Sequence, residues 1–200
     1  HLVEKHPAMI VICAPYKHLV KQWADDVEKA FPDAKIIMVS SENPIWETQI
    51  AQEIIRKQYK PDNQIIIIST IASFKMERFT SVISRSKEDK LLIVDEAHRF
   101  TDRPDKLKEM FRYMLGLSAT PFSGSSAHKG LELMEWFGGQ VFNLPIENAL
   151  ERGFLVPYNY YPIYVYATED EERRFKYHTQ KILSCFKNNK CINPDLLVKS

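Results

Sequence analysis

The stretch "LLIVDEAHRF", Leu91 to Phe100, decides how the rest of the chain is read. Four apolar residues run straight into two adjacent carboxylates and a histidine. The apolar run has the length and composition of a strand buried on both faces. Asp95 and Glu96 are neighbours, so each makes the other more costly to ionise. Such a pair at the end of a buried run implies a use for two negative charges.

Working outward, the same texture repeats. "AMIVICAP" is another short apolar run, ended by Pro15. In "KHLVKQWADDVEKAF", Leu19, Val20, Trp23, Val27, Ala30 and Phe31 fall at helical spacing, and Pro32 stops the pattern. "AKIIMVS" and "QIIIIST" read as strands, and "IWETQIAQEIIRKQY" between them reads as a helix. "IASFKMERFTSVI" predicts a helix, "KLLIVDEAH" a fourth strand, "KLKEMFRYM" a short helix and "MLGLSAT" a fifth strand. Strands alternating with helices predict βαβ units, a largely parallel sheet flanked by helices, and an α/β fold. Function in such sheets sits where the carboxyl ends of the strands emerge. "APYKH", "SSEN", "STIAS", "DEAH" and "SATP" each follow an apolar strand, so five polar tips share one edge.

After Pro121 the texture changes. "FSGSSAHKG" predicts a loop, and "LELMEWFGGQVF" a helix followed by a turn. From Pro145 onward we expect a helix stopped at Gly153, an extended segment and a new helix. The run "YNYYPIYVY" alternates, which predicts that half of it packs in a strand. Glu169 to Lys187 is charged and amphipathic and reads as an exit from the domain. The expected organisation is one lobe over residues 1–167 and a helical exit over 168–200.

The totals exclude several classes. The chain has 200 residues, of which 44% are apolar, enough for a sizeable core. Lys plus Arg is 27 and Asp plus Glu 26, so bulk charge does not coat nucleic acid, and phosphate binding must come from local patches. Three scattered cysteines, Cys13, Cys185 and Cys191, fit neither a disulfide framework nor a zinc site, and point to a reducing, cytoplasmic setting. No run approaches the ~18 apolar residues of a membrane span. The chain opens at His1 without a methionine, which suggests a segment of something longer.

A nucleoside triphosphate bound with magnesium explains the paired carboxylates. One carboxylate at a strand end can hold the hydrated metal, and the next can polarise the attacking water. We assign Asp95 to Mg²⁺, through water, and Glu96 to the attacking water. His98 would sense the γ-phosphate region and bond to the neighbouring strand end, "GLSATP". There Ser118 and Thr120 carry hydroxyls that both donate and accept, Ala119 keeps the loop slim, and both hydroxyls are expected to touch His98. An isolated D-E-A-H also describes a polar strand end. The two motifs together, each after an apolar strand, argue against that reading.

"IVDEAH" followed by "GLSATP" resembles motifs II and III of the superfamily 2 DEAD/DEAH-box helicases and translocases. "VICAPYKHLVKQW" resembles their motif Ia, and "IIIISTIASF" the next segment that faces nucleic acid. "FGGQVFNLPIENALERGFLVPYNYYPIYV" is similar to the tail of the first lobe in the branch of repair helicases and restriction translocases. The resemblance covers about residues 8 to 170. It implies a RecA-like lobe, ATP and Mg²⁺ as cofactors, and a second RecA-like lobe as partner. It also implies a nucleic acid strand, DNA favoured over RNA, held by its backbone. The matching positions are Pro15, Tyr16 and Lys17 after the first strand, and Ser69 and Thr70 after the third. Lysines and hydroxyls suit phosphates, and Tyr16 could stack on a base. Lys17 and Lys21 equally fit a solvated helix face; so do Lys75, Arg78 and Arg85, while Trp23 reads as core.

The family's phosphate cradle, G-x-x-x-x-G-K-S/T, is not among these residues. None of the six glycines precedes motif Ia, and "GSSAHKG" has its lysine before the glycine. The expectation is a lobe lacking its phosphate-loop strand, with a gap or an exposed sheet edge. The isolated chain is expected to hydrolyse nothing, although the parent would be an ATP hydrolase. Two other readings remain open here. One is a catalytically dead lobe used as a nucleic-acid or protein binding module. The other is an unrelated metal phosphoesterase, for which Glu42 is the only further strand-end carboxylate directly available.

Overall fold

A computed structural model describes residues 9–61, 63–101, 105–121 and 127–187. Five strands form one sheet: β1 Met9–Ala14, β2 Lys35–Val39, β3 Ile65–Thr70, β4 Lys90–Val94 and β5 Tyr113–Gly116. Their order is β2-β3-β1-β4-β5, and every pairing is parallel. The helices are α1 Lys17–Ala30, α2 Trp46–Lys57, α3 Ile71–Phe74, α4 Glu77–Ile83, α5 Asp105–Glu109, α6 Ala127–Phe137, α7 Ile146–Glu151 and α8 Glu169–Lys187. This is the expected α/β fold, a parallel sheet flanked by helices.

Side-chain alternation builds the two faces. Met9, Val11 and Cys13 of β1 join one core, and Ile10, Ile12 and Ala14 join the other. The first core takes Trp46 and Ile50 of α2, Phe74 of α3 and Phe79, Val82 and Ile83 of α4. The second takes Val20 and Val27 of α1. Ile65 to Ile68 are essentially fully buried, and each burial stabilises the fold by roughly 2 kcal/mol relative to exposure. A ring cluster holds the first core: Phe74 lies 5.4 Å from Phe79, 5.8 Å from Phe100 and 5.9 Å from Phe111, centroid to centroid. Phe100 also meets Trp136 of α6 at 5.5 Å. The turn after β4 is thereby anchored in the core by its last residue.

Several expectations are corrected in detail. "IASFKMERFTSVI" forms two helices, α3 and α4, with Met76 extended between them at ψ 135°. Phe74 and Phe79 must enter one core. In a continuous helix they would point about 140° apart at ~100° per residue. Strand β4 stops at Val94, so "DEAH" is turn and 3-10 helix (Ala97–Arg99). Tyr113 and Met114 belong to β5, not to the preceding helix, and β5 ends at Gly116. Helix α6 begins at Ala127, inside the expected loop, whose residues 122–126 lie outside the described ones.

Strand β5 pairs with β4 alone, so its other edge has no strand among the described residues. Gly116 leaves room for a neighbour: a Cβ there would stand 2.9 Å from the Phe137 ring, which would have to shift. That close approach lets α6 seat against β5.

By its contacts the chain divides after Asn143. In the second unit, Gly153 at φ +70° ends α7, and the Phe154 N–H returns to the Ala149 carbonyl at 2.9 Å. The aromatic run does not form a strand: Tyr158, Tyr160, Tyr161, Tyr164 and Tyr166 are all exposed. Pro157 and Pro162 interrupt any ladder, since proline has no N–H to donate. Among the described residues no helix is long and apolar enough to cross a membrane.

Candidate active site at the strand ends

Because all five strands are parallel, their carboxyl ends share one edge of the sheet. The polar tips gather there. The Asp95 N–H donates to the Cys13 carbonyl at 2.8 Å, continuing the β1–β4 ladder by one residue. The chain then turns sharply. Glu96 adopts a left-handed conformation, φ 49° and ψ 49°, and has the only positive φ outside glycine among the described residues. That region costs a non-glycine residue about 1–2 kcal/mol. The cost is met by bonds around it. The Leu117 N–H donates to the Val94 carbonyl and the Ala97 N–H to the Leu117 carbonyl, each at 2.8 Å. Motif-like turns after β4 and β5 are therefore zipped together through their backbones.

The side chains use the turn. Asp95 Oδ1 accepts the Glu96 N–H at 2.9 Å, and Oδ2 accepts the indole N–H of Trp23 at 2.9 Å. His98 Nδ1 lies 3.2 Å from Glu96 Oε2 and 3.0 Å from Ser118 Oγ. His98 Nδ1 thus stands between the Glu96 carboxylate, which can only accept, and the Ser118 hydroxyl, which can donate or accept. Ser118 Oγ also accepts the Thr120 N–H at 3.2 Å. The Thr120 side chain is exposed and makes no bond to His98 among the described residues, so one hydroxyl, not two, reads the imidazole. Ala119 is exposed beside it.

The expected nucleic-acid contacts divide. Tyr16 is 46% exposed and Lys17 is also open, with Pro15 partly covered behind them. Lys17 Nζ donates to Ser41 Oγ at 2.8 Å and to Glu42 Oε1 at 3.3 Å, which ties the β1 and β2 tips. Thr70 is committed to capping α3, accepting the Ser73 N–H at 3.1 Å. Ser69 is fully buried, with Oγ 3.5 Å from Cys13 Sγ, and from there its side chain reaches no external strand. Its register opposite Cys13, one residue before the strand tip, turns it into the core.

Two contributors carried no site role in the sequence reading. Trp23 was expected in the core; its ring does pack there, but its N–H reaches Asp95. Arg99, the residue after His98, donates from Nη1 to the Tyr16 hydroxyl at 2.5 Å and lies 5.2 Å from that ring's centroid. The sequence signals were present: a tryptophan whose N–H needs an acceptor, and a cation directly after D-E-A-H.

The residues fit a hydrated magnesium ion. Asp95 is half-buried and has no Lys or Arg partner among the described residues, so its charge is free for a cation. The described residues include no cluster of three or more His, Cys, Asp or Glu able to cage a metal. A single carboxylate suits Mg²⁺, which keeps several waters and takes its remaining ligands from substrate phosphates.

A five-stranded, all-parallel sheet flanked by helices is consistent with a RecA-like lobe. The family of the type III restriction enzyme res subunit matches residues 1–123, and the chain belongs to that family. It is a helicase-like ATPase family, whose members generally use ATP with Mg²⁺. No curated protein matches the chain. Among solved structures, a de novo designed protein is similar at 13% identity and TM-score 0.42, over 66% of this chain and 90% of that one. A second designed protein is similar at 12% identity and TM-score 0.36, over 72% of this chain and 95% of that one.

Proposed function

We propose that this chain is part of the first motor lobe of an ATP-dependent helicase or translocase, coupling ATP hydrolysis to movement on DNA in preference to RNA. Asp95 would hold magnesium through water, and Glu96 would polarise the water that attacks the γ-phosphate. Magnesium held there would supply charge neutralisation to the transferring phosphates. His98 and Ser118 carry the phosphate state to the neighbouring strand end, with Ala119 and Thr120 completing that loop. Pro15, Tyr16 and Lys17 meet the sugar-phosphate backbone, and the Thr70 turn lies on the same edge.

Residues 1–167 make the lobe contribution, and 168–200 lead toward a second RecA-like lobe that completes the site. A phosphate cradle must be added to these residues for ATP to be held, so the 200 residues alone are expected to be inactive. The observation that carries the reading is the turn itself. Glu96 is held in a costly backbone conformation whose result is a carboxylate aimed at His98. Strain of this kind collects where geometry serves a site. The test is ATP turnover by the full natural polypeptide with no nucleic acid, with single- and double-stranded DNA, and with RNA. DNA-stimulated turnover is expected. Binding of DNA with no turnover under any condition would instead identify a binding module built on a motor's frame.

A further inference from the structure

Trp23 stands apart from the core residues around it. Its ring packs on the α1 face of the sheet, as the helical spacing predicts. Trp23 is half-buried, and an indole N–H turned away from water in this way needs an acceptor. The acceptor it finds is Asp95 Oδ2, 2.9 Å away, on a carboxylate whose other oxygen is already held by the Glu96 N–H. Both oxygens are thereby fixed, and the carboxylate has one orientation. A cleft of about 170 Å³ opens beside the bond, lined by Leu19, Gln22, Trp23, Asp26 and Asp95.

The helix that carries Trp23 is tied to the D-E-A-H turn at a second point. Its N-cap is Tyr16, and Arg99 bonds the Tyr16 hydroxyl. Helix α1 therefore meets the turn at its N-cap and again about 10 Å along its axis, at ~1.5 Å per residue.

We infer that Trp23 is a positioning residue for Asp95: its indole N–H orients the metal carboxylate and ties that orientation to α1, the helix that begins at the proposed strand contact. The inference rests on the ATPase reading for its metal, but not for its bond. Groups that orient a metal-binding side chain typically cost about 10-fold or more in metal affinity when removed. Trp23→Phe keeps the ring and removes only the donor.

Two measurements on the full natural polypeptide test this. The first uses metal-free, nucleotide-free protein and follows the indole ¹⁵N–¹H cross-peak that Trp23→Phe abolishes. Asp95→Ala should move that peak upfield and speed its exchange with water, whereas Asp95→Asn, which keeps an acceptor, should leave it near its wild-type place. A peak indifferent to Asp95→Ala overturns the inference. The second is the Mg²⁺ dependence of ATP turnover. Trp23→Phe should raise the half-saturating Mg²⁺ about 10-fold, more than it lowers the saturated rate. A lowered rate with unchanged Mg²⁺ dependence makes Trp23 a packing residue and overturns its positioning role. If the cross-peak responds but wild-type protein turns over no ATP, the functional reading has failed while the Trp23–Asp95 bond stands.

Discussion

Glu96 carries more of the account than any other residue, because its backbone and its side chain pull in opposite directions. The left-handed turn disfavours any side chain, yet the carboxylate is what His98 binds. Replacing it with glycine relieves the strain, so Glu96→Gly should be neutral to stabilising by up to about 1 kcal/mol in urea unfolding, while ATP turnover is lost. Clear destabilisation would mean that the His98 contact outweighs the backbone cost. Cys13 gives a second test at this scale. Burial pushes its thiol up to about 12 from an ordinary 9.0. The folded state therefore keeps the proton when the unfolded chain has lost it. Stability from this group is complete below about pH 9 and falls as pH rises toward 12. Lys90 is shifted down by burial, so its cost is greatest below its folded value and is relieved as pH rises toward 10.5, the opposite sign. Comparing wild type with Cys13→Ala cancels Lys90. The wild type should lose more stability than the variant between pH 8.5 and 10, read as the urea midpoint at each pH.

The elements were legible where one physical signal acted alone. The apolar runs of β1, β3 and β4 each end in a polar tip, and their alternation faces two cores that the helices complete. What the sequence hid was settled by tertiary demands. Phe74 and Phe79 break a helix because both must reach one core. Tyr113 leaves a helix because β4 offers an edge to pair with. The aromatic run stays unpaired because Pro162 within it and Pro157 just before it have no N–H to donate. Gly116 belongs to this scale, since it sets how closely α6 approaches β5. Gly116→Ala should destabilise by roughly 1–3 kcal/mol, as overpacking does. Combined with Phe137→Leu, it should cost less than the two single changes summed, because the ring it strikes has been replaced. Additive costs would place the strain elsewhere.

On the scale of the whole molecule, the site was half visible in advance. Asp95, Glu96, His98 and Ser118 do come together, because parallel strands must deliver their tips to one edge. Ser69 does not join them, for the same geometric reason: one residue short of the tip, its side chain turns inward. Trp23 and Arg99 were hidden because each bond crosses between elements far apart in the chain. A sequence read segment by segment shows a core tryptophan and a surface arginine. The folded sheet shows the two ties that bind α1 to the D-E-A-H turn.

The most direct test of the central claim is Glu96→Gln in the full natural polypeptide, scored for ATP turnover and for Mg²⁺·ATP binding side by side. Glutamine keeps the size of the side chain and removes its charge. Turnover should fall by about 10²–10⁴-fold, the usual contribution of a positioned base, with binding retained. Turnover within a few-fold of wild type would contradict the account and assign the attacking water to another residue.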